Sequence, residues 1–593
     1  MVVSGINISD RGTVVYDEDG ILYEIEVPFL KAGDVIEKDI HGLWHIISDK
    51  EEDRQRDMFY YDTRHFLSFG DYCHIIDRYP HAHDMFVKDP FFLMDVTRND
   101  KPVVSFPVID KNICLDTFQK RMQEIRRCAI HFLIKNEEAG NTWMWYSDLK
   151  ARILNQIKED GHPFLYGYTD ILAFLQTEMF YVSYNNKRMR VALFDTYRRE
   201  HVISHVVDMV KDMHTTMPLW APEDNPLLSE EQKYVVKNII IKGGRISILT
   251  GGPGTGKTTI LKDIVYNIQR QYPESKIFLL STTGKAARVI SSVFGGLDEN
   301  ISTVHKFLGF GHPRTQKDTL RIRSAEFVVV DEASMLDLET FSTLMSALDF
   351  SKCKLLLVGD VDQLPSIGAG NILSDLIERG VYTIRLKENH RSTESIVNNA
   401  CRIRDGIPLL EEDENFRVID LPKSLCSLLS VRDFTPDTVI ITPYRKKGMA
   451  GSCTDMNEEM QKFLNEKPGF NPGDRVIMSR TSYRDNYYNG EPGVVVSKTV
   501  DGYYVDLYDR TVLVKEEDDM DLGYAMTVHK SQGSEYNMCN ICIPEYSPFI
   551  TRRMLYTAVT RAKEKVRLYT TPGILFRIIN NNPDIDRHTF LRE

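Results

Sequence analysis

The sequence predicts an α/β protein built on doubly wound parallel sheets, with a small β insertion and a separate α+β region at the amino end. Three observations predict this class. Short apolar runs alternate with helical patterns after Ala221, as strands covered by helices on both faces require. A glycine-rich loop stands between one of these runs and a helical pattern. The 593 residues also exceed what one hydrophobic core can organise, so we expect several domains.

The composition excludes several classes of protein. The formal charge of −12 argues against a surface that is cationic everywhere, so a polyanion would have to bind in a local groove. No apolar stretch approaches the ~18 residues that span a bilayer, and the amino end lacks the pattern of a secretion signal. The 9 cysteines follow no regular framework, which suits a reducing compartment and favours the cytoplasm, or the host cytoplasm for a viral protein. Cys539 and Cys542 form a C-x-x-C in an apolar segment, where core packing is favoured over redox or metal chemistry.

The positions of prolines and of glycine-containing turn pairs along the chain predict the domain organisation. Prolines at 218, 222 and 226 indicate a linker near Ala221. Between 472 and 521, short β-like segments are broken by Asn-Gly, Pro-Gly and Asp-Gly pairs, which predicts a small barrel inserted in a loop. We therefore expect an N-terminal α+β region of undetermined role and three further parts, with these bounds: 1–221, a first domain at 222–377, a second at 378–471 and 522–593, and the insertion at 472–521.

The strongest chemical signal is the loop that follows the apolar run ending at Thr250. It satisfies G-x-x-x-x-G-K-[ST] between a strand pattern and a helix pattern. Backbone N–H groups of such a loop close around phosphate oxygens, Lys257 would reach the β- and γ-phosphates, and the Thr258 hydroxyl would ligate Mg²⁺. The residues predicted to bind ATP here are Gly252, Pro253, Gly254, Thr255, Gly256, Lys257, Thr258 and Thr259.

Two further strand ends carry polar side chains toward the same edge. The run 327–330 ends in Asp331 and Glu332, and ligands of open α/β sheets bind at the carboxyl ends of strands. Asp331 would hold Mg²⁺, and Glu332 would accept a proton from the attacking water or orient it. Gln363 follows another buried run, so its amide can read the γ-phosphate. These segments together predict an ATPase or GTPase.

The remaining motifs resemble those of superfamily 1 helicases, and the residues around Asp331 and Gln363 resemble the RecD and Dda branch in particular. The resemblance covers roughly residues 227–571, and its further motifs occur in the order of the family: Ser281-Thr282-Thr283-Gly284-Lys285-Ala286-Ala287, Thr303-Val304-His305, Glu388-Asn389-His390-Arg391, Thr527-Val528-His529-Lys530-Ser531-Gln532-Gly533-Ser534-Glu535 and Leu555-Tyr556-Thr557-Ala558-Val559-Thr560-Arg561-Ala562. It implies two RecA-like domains around a nucleotide cleft, with an SH3-like insertion.

The resemblance also implies site residues. Arg391 and Arg561 are similar in place to the two γ-phosphate arginines of the family, although a surface salt bridge is the alternative for each. Gln232 would present its amide to the adenine edge. The single-strand channel would be lined by Thr283, His305, Thr527 and His529. A short basic hairpin at about 305–324 would be either a wedge at the duplex junction or an ordinary solvated hairpin.

The function predicted on this basis is an ATP-dependent 5′→3′ DNA helicase that moves on single-stranded DNA and opens duplex junctions, with the polarity implied by the resemblance. Two alternatives stay open: an RNA helicase of the same superfamily, and a motor or regulatory subunit of a recombination or nuclease complex. ATP and Mg²⁺ are the expected cofactors, and a protein partner could bind through the N-terminal region. Tyr487 and Tyr488 of the insertion could either stack on bases or pack inside it.

Overall fold

The computed structural model describes most of the chain after residue 116. The described ranges are 117–159, 179–211, 225–295, 300–310, 315–389, 392–420, 437–464, 469–482, 484–583 and 587–592, with short backbone segments before residue 103 and a few single positions between the ranges. The chain divides into two compact units, residues 1–132 with 147–177, and residues 133–146 with 178–593.

The first unit contains antiparallel strands. Three of them form one sheet in the order β1-β2-β3, and two further pairs are β4 with β5 and β6 with β7. The bounds are β1 Gly5–Ser9, β2 Gly12–Tyr16, β3 Leu22–Ile25, β4 Ile36–Lys38, β5 Trp44–Ile46, β6 Thr97–Arg98 and β7 Lys101–Pro102. Helix α1 (Thr117–Glu138) runs from this unit into the second, and α2 (Tyr146–Glu159) follows.

The second unit begins with a three-stranded antiparallel sheet in the order β8-β10-β9, followed by a long helix. The bounds are β8 Met144–Trp145, β9 Phe180–Asn185, β10 Arg188–Leu193 and α3 Phe194–Lys211. The tight turn at Asn186 and Lys187 has positive φ at both residues, the conformation that a two-residue hairpin needs.

A six-stranded parallel sheet, the first motor sheet, has the order β13-β12-β14-β15-β11-β16. Its strands are β11 Ile246–Gly251, β12 Ile277–Ser281, β13 Ile301–Thr303, β14 Phe327–Asp331, β15 Lys354–Gly359 and β16 Tyr382–Leu386. Its helices are α4 Glu230–Lys242, α5 Lys257–Gln271, α6 Gly284–Phe294, α7 Val304–Leu308, α8 Gln316–Arg323, α9 Leu338–Ala347 and α10 Ile372–Glu378.

The apolar runs that predicted these strands are buried on both faces. In β11, Ile248 packs into the core on one side of the sheet and Leu249 into the core on the other, and neither side chain is exposed to solvent. A central parallel strand needs apolar residues at successive positions for this reason. The predicted doubly wound α/β fold is therefore confirmed.

The second motor sheet is also parallel, in the order β17-β26-β25-β18-β24. Its strands are β17 Phe416–Ile419, β18 Thr438–Thr442, β24 Ala525–Thr527, β25 Tyr536–Cys542 and β26 Ala562–Tyr569. Its helices are α11 Glu394–Arg404, α12 Cys453–Leu464, α13 Val528–Ser531, α14 Arg552–Val559 and α15 Pro572–Asn580. Cys539 and Cys542 are both buried here, as predicted.

Between α12 and β24 the chain forms the predicted β insertion. Its five antiparallel strands lie in the order β22-β21-β20-β19-β23 around their own apolar core. The bounds are β19 Arg475–Met478, β20 Pro492–Thr499, β21 Gly502–Asp506, β22 Thr511–Val514 and β23 Met520–Leu522.

Packing differs from the predicted domain bounds at both ends of the first motor domain. Strand β16, assigned from the sequence to the second motor domain, pairs in parallel with β11 and so belongs to the first sheet. Helix α3, assigned to the N-terminal region, packs against α9, and Ile203 and Val207 lie in the same core cluster as Leu357 of β15. Both corrections come from pairing and packing between distant segments, which leave no local sequence signal.

The predicted basic hairpin at about 305–324 is wrong for the described residues of that interval, which form the two short helices α7 and α8. Thr315 accepts a hydrogen bond from the backbone of Asp318, and the Asp318 carboxylate accepts one from the backbone of Thr315 in return. This capping box begins a helix that places Ile322 in the core. Residues 311–314 lie outside the described residues.

A segment near the carboxyl end, residues 587–592, packs against the first motor domain and the β8-β10-β9 sheet. The ring of His588 stacks on Trp143 at 4.3 Å. The buried Glu200 carboxyl group accepts hydrogen bonds from the backbone of Phe590 and Leu591 at 3.2 and 3.3 Å. Arg592 pairs with the buried Asp375 of α10 at 2.7 Å. This segment therefore ties the part of the chain that follows the second motor sheet to the first motor domain.

No helix within the described ranges is long and apolar enough to cross a membrane.

Candidate active site

The phosphate-binding loop joins β11 to α5 in the strand-loop-helix arrangement that its sequence predicted. Gly254 and Gly256 have φ of 77° and 80°, a conformation that disfavours side chains. A Cβ atom at Gly256 would lie 2.4 Å from Nε2 of Gln232, so the amide group of Gln232 would have to move to make room for it. The Lys257 ammonium donates to the carbonyls of Gly251 and Gly252 at 2.8 and 3.0 Å, which places it inside the curve of the loop.

Gln232 lies buried beside this loop and takes part in the start of α4. Its carbonyl oxygen accepts a hydrogen bond from the backbone of Ser229, and the Ser229 hydroxyl accepts one from the backbone of Gln232. Its amide group donates to the Thr255 carbonyl at 3.5 Å. Sequence reasoning gave Gln232 a base-reading role and missed this capping box, for which the pattern Ser-x-x-Gln was the available signal. The base-reading role stays a prediction.

Asp331 and Glu332 follow β14, next to the phosphate-binding loop. The pKa of Asp331 is raised because its carboxyl is buried and the neighbouring Glu332 repels its charge, while the backbone N–H of Glu332 and the Lys257 ammonium act in the opposite direction. Glu332 has φ of 54°, an unfavourable conformation for a residue with a side chain. Strained positions of this kind concentrate at functional sites, where surrounding contacts hold them in place.

Gln363 is buried after β15, and its amide group donates to Oδ2 of Asp360 at 3.1 Å. Its carbonyl oxygen Oε1 is also buried, and it has no hydrogen-bond partner among the described residues. A buried unpaired oxygen costs free energy unless a ligand or water satisfies it. At the edge of the first motor sheet, the amide group of Gln363 is therefore hydrogen-bonded, whereas its carbonyl oxygen is available to a ligand.

Lys257, Asp331 and Gln363 line one cavity of about 330 Å³ together with two residues of the second motor domain, Glu535 and Arg561. Arg561 is 3% exposed and donates to the carbonyls of Thr557 and Ser534 at 3.1 and 3.2 Å. The first motor domain contributes Pro253, Gly254, Gly256, Lys257, Thr258, Thr259, Asp331, Glu332 and Gln363. The structure thus brings Arg561 to the predicted phosphate site.

A second cavity of about 500 Å³ also borders Pro253 and extends between the segment after β16 and helices α11 and α14. Asn389 donates to the Pro253 carbonyl at 2.6 Å, which fixes that segment to the phosphate-binding loop. Arg391, the other predicted γ-phosphate arginine, lies outside the described residues, and its role stays a prediction.

The donor set at the phosphate cavity suits Mg²⁺. Thr258 offers a hydroxyl and Asp331 a carboxylate, both oxygen ligands, which Mg²⁺ prefers over nitrogen and sulfur. No group of three or more His, Cys, Asp or Glu that could hold a metal occurs in the described part of the chain. An all-protein cage is not expected for Mg²⁺ at a phosphate site, because phosphates and water complete its coordination.

Two of the four predicted DNA contacts are threonines that begin helices at the carboxyl ends of strands. Thr283 follows β12 and accepts a hydrogen bond from the backbone of Ala286 at 3.2 Å. Thr527 ends β24 and accepts one from the backbone of Lys530 at 3.3 Å. Sequence reasoning missed this capping role. Each hydroxyl still has a proton that it can donate to a phosphate oxygen.

The two predicted DNA-binding histidines differ in exposure. His305 is exposed on α7, and its Nε2 lies 3.4 Å from the Thr340 hydroxyl. His529 is half-buried on α13, and burial lowers the pKa of its imidazole, which favours the neutral form. His529 would therefore contact a DNA strand through a neutral ring. His305 would contact the DNA through a ring that is exposed to solvent. Both contacts stay predictions.

The two tyrosines of the insertion have different surroundings. Tyr487 is buried in the core of the insertion, and its hydroxyl donates to Asp519 at 2.6 Å, so packing is the correct reading for this residue. Tyr488 instead packs against Gly284 at the start of α6, where a Cβ atom would lie 2.6 Å from its ring. Arg288 of α6 also pairs with Glu491 at 3.3 Å and with Asp509. The insertion is thus fastened to the first motor domain.

Sequence reasoning missed two residues of the cleft. Glu535 lines the phosphate cavity, and Lys285 donates to the Ser534 hydroxyl at 2.6 Å across the cleft. Both occur within motifs that carry the family resemblance, but spacing alone does not show which member of a motif faces the cavity. The only signal was the polarity of these positions.

Comparisons with known proteins identify the family of the chain. The chain matches the model of an AAA domain over residues 227–416 and that of a UvrD-like helicase C-terminal domain over residues 522–569. It is 32% identical over 401 residues to the RecBCD enzyme subunit RecD of Mycolicibacterium smegmatis, covering 57% of this chain and 70% of that protein. The chain belongs to the RecD-like superfamily 1 helicases. The two RecA-like motor domains of this family correspond to the two parallel sheets.

One further relative and one solved structure share different portions of this RecD-like chain. This chain is 31% identical over 356 residues to the ATP-dependent RecD2 DNA helicase of Deinococcus radiodurans. The alignment covers 57% of this chain but only 48% of that longer protein. A crystal structure of Pif1 helicase from Bacteroides with ADP-AlF3 and single-stranded DNA aligns at 20% identity and a TM-score of 0.42, over 61% of this chain and 96% of that one.

Proposed function

We propose that this RecD-like protein is an ATP-driven motor that moves 5′→3′ along single-stranded DNA and separates duplex ahead of it. As a RecD-like helicase it is an ATP-hydrolysing enzyme that acts on DNA. The observation that carries the mechanism is the shared phosphate cavity, which Lys257 borders from the first motor domain and Arg561 from the second. A nucleotide between them would contact both domains, so its hydrolysis would change how the domains are held together.

The residues of the cavity would have different roles in phosphoryl transfer. Lys257 would bind the β- and γ-phosphates, and Glu332 would orient the attacking water or accept its proton. Arg561 would meet the charge that develops on the transferred phosphoryl group, because its guanidinium is fixed by three hydrogen bonds within the second motor domain. The unpaired Oε1 of Gln363 supports a role in positioning the water or sensing the γ-phosphate.

Thr258 and Asp331 would hold Mg²⁺ at this site. The bound cation would neutralise phosphate charge. It would also favour the ionised form of Asp331, whose pKa burial and Glu332 now raise.

The DNA strand would cross the carboxyl ends of both parallel sheets. Thr283 of the first motor domain and Thr527 of the second occupy equivalent positions, each at the start of a helix that follows a strand. Hydroxyls and helix N-termini bind phosphates without reading sequence, as a translocating motor requires. Alternating grip by the two domains would convert their opening and closing into movement.

Unwinding of tailed duplexes by the full chain tests this function and its polarity. In single-turnover reactions we expect a substrate with a 5′ single-stranded tail to be unwound and one with a 3′ tail to resist. A preference for the 3′ tail would contradict the polarity. Stimulation of ATP hydrolysis by DNA and RNA homopolymers, measured in parallel, separates a DNA motor from the RNA alternative.

We also propose a protein partner, because the relative from M. smegmatis is named as a subunit of the RecBCD enzyme. The region before the first motor sheet is the proposed docking site for such a partner. In that case, the purified chain would hydrolyse ATP with DNA but unwind poorly until the partner is added. Efficient unwinding by the chain alone would contradict a dependence on the partner.

A further inference from the structure

The segment of the second motor domain that precedes β25 lies against the first motor domain at two points. Lys285 of α6 donates to the Ser534 hydroxyl at 2.6 Å. Gln532 donates to the Leu364 carbonyl, in the loop that carries Gln363, at 3.2 Å. Between them, the Cα of Gly533 faces Thr283, since a Cβ there would lie 3.8 Å from the Thr283 hydroxyl. The start of α6 and this segment are therefore in direct contact.

Ser534 also binds Arg561, through a different atom. The Arg561 guanidinium donates to the Ser534 carbonyl at 3.2 Å, and Ser534 is 3% exposed. The other hydrogen bonds described for this guanidinium go to Thr557 and Thr560 of its own domain. The Ser534 hydroxyl thus accepts a hydrogen bond from Lys285 of the first motor domain, and the Ser534 carbonyl accepts one from Arg561.

We propose that Lys285 is a positioning residue for hydrolysis: by binding Ser534 it fixes the backbone carbonyl that orients Arg561, and it so links the DNA-facing start of α6 to the phosphate cavity. This inference rests on the proposed function, which places Thr283 on the strand and Arg561 on the γ-phosphate. A strand bound to both Thr283 and the second motor domain would stabilise this contact between Lys285 and Ser534. Hydrolysis would then be faster with DNA in place.

The charges around Lys285 fit such a contact. Burial lowers the pKa of Lys285 to about 8, and Arg561 acts in the same direction, while Glu491 of the insertion and Glu535 of the cavity raise it. The side chain is therefore predominantly charged at neutral pH, and a charged donor strengthens its bond to the serine hydroxyl. A neutral side chain of similar length would fill the space and lose the bond.

The test compares Lys285→Met with Lys285→Arg and with Lys237→Met, a control that removes an exposed lysine of α4 in the same motor domain. Each variant is assayed for kcat and KM of ATP hydrolysis at saturating single-stranded DNA, and for DNA affinity. For Lys285→Met we expect kcat to fall about tenfold or more, the scale of one lost charged hydrogen bond, with KM for ATP and DNA affinity changed less than twofold. Lys285→Arg should recover a substantial part of kcat.

Ser534→Ala provides an independent route to the same answer. It should lower kcat as Lys285→Met does, and the double variant should be no slower than the slower single variant, because both changes remove one contact. Multiplicative losses in the double variant, or a kcat for Lys285→Met equal to that of Lys237→Met, would overturn the inference. If the melting temperature of Lys285→Met lies well below that of the parent chain, the inference is judged instead by comparing the kcat of Ser534→Ala with that of the parent chain. A parent chain whose ATP hydrolysis does not respond to DNA would instead refute the proposed function.

Discussion

The hydroxyl of Tyr556, in the second motor domain, donates to Oδ2 of Asp360, in the first, at 3.1 Å, and both residues are buried. The same carboxylate oxygen accepts the amide of Gln363 at 3.1 Å. At the next residue after Gln363, the Leu364 backbone donates to the hydroxyl of Thr557. The loop that carries Gln363 is thus held from the opposite domain, so the position of Gln363 depends on how the two domains meet.

Replacement of Tyr556 by Phe should weaken this junction without creating a cavity. The loss of one buried hydrogen bond predicts a destabilisation of about 1 kcal/mol, with the remaining bonds to Asp360 intact. Urea unfolding of the variant and the parent measures the difference. Tyr266→Phe, which alters an exposed tyrosine of α5, is the control and should leave the stability unchanged. Equal effects of the two substitutions would show that the bond to Asp360 contributes nothing.

The Lys257→Ala variant should lose ATP turnover and keep its affinity for single-stranded DNA. The Lys257 ammonium lies within the phosphate-binding loop, bonded to Gly251 and Gly252, and would meet the phosphates of ATP rather than those of the strand. DNA-stimulated ATP hydrolysis and fluorescence anisotropy with a labelled oligonucleotide measure the two properties. The control is Lys262→Ala, an exposed lysine of the same helix. Near-normal hydrolysis by Lys257→Ala would refute the assignment of the loop.

The Arg561→Ala variant should bind ATP and fail to hydrolyse it. A fixed guanidinium at a developing phosphoryl charge is worth about 10³ to 10⁵ in rate, whereas its contribution to ground-state binding is smaller. Titration with a fluorescent ATP analogue and single-turnover hydrolysis separate the two effects. Arg561→Lys keeps the charge but loses the forked geometry, so it should recover little of the rate. A turnover equal to that of the parent chain would remove Arg561 from the catalytic residues.

The fold of the motor domains was accessible from the sequence because its signals are local. The run that ends at Thr250 and the run 327–330 became β11 and β14, since strands buried on both faces need continuous apolar residues. The loop between β11 and α5 was predictable for a similar reason, as its glycines, lysine and threonine follow one another. The cavity that these segments share with Arg561 required the family resemblance.

The parts that were missed depend on contacts between distant segments. Strand β16 alternates apolar and polar residues as an edge strand does, and only its pairing with β11 assigns it to the first motor domain. Ile203 of α3 and Leu591 near the carboxyl end enter the same core although almost 400 residues separate them. A chain that starts at residue 222 would lack α3 and expose that core, so tests of the N-terminal region require the full chain or smaller changes.

The pH dependence of stability should contain a contribution from Glu200, which anchors the segment 587–592. Burial raises the pKa of Glu200 to about 8, against 4.5 for an exposed glutamate, and the nearby Asp375 acts in the same direction, whereas hydrogen bonds from Thr142 and from the backbone of Phe590 and Leu591 oppose it. Between these two values the folded chain holds a proton that the unfolded chain has lost. The stabilising contribution of the protonated group is therefore complete below about pH 4.5 and is lost as the pH rises to about 8.

Glu200→Gln removes this titration and should be less stable than the parent chain at pH 5, because one of its amide hydrogens faces the backbone N–H groups of the segment. The deficit should shrink, or reverse, by about 2 to 5 kcal/mol as the pH rises to 8.5, since only the parent chain then has to bury a charged carboxylate. Urea unfolding of both proteins at intervals across this pH range measures the difference. A deficit that stays constant over the range would show that Glu200 is already ionised in the folded chain at pH 5. The hydrogen bonds from Phe590 and Leu591 would in that case outweigh the desolvation of the carboxylate.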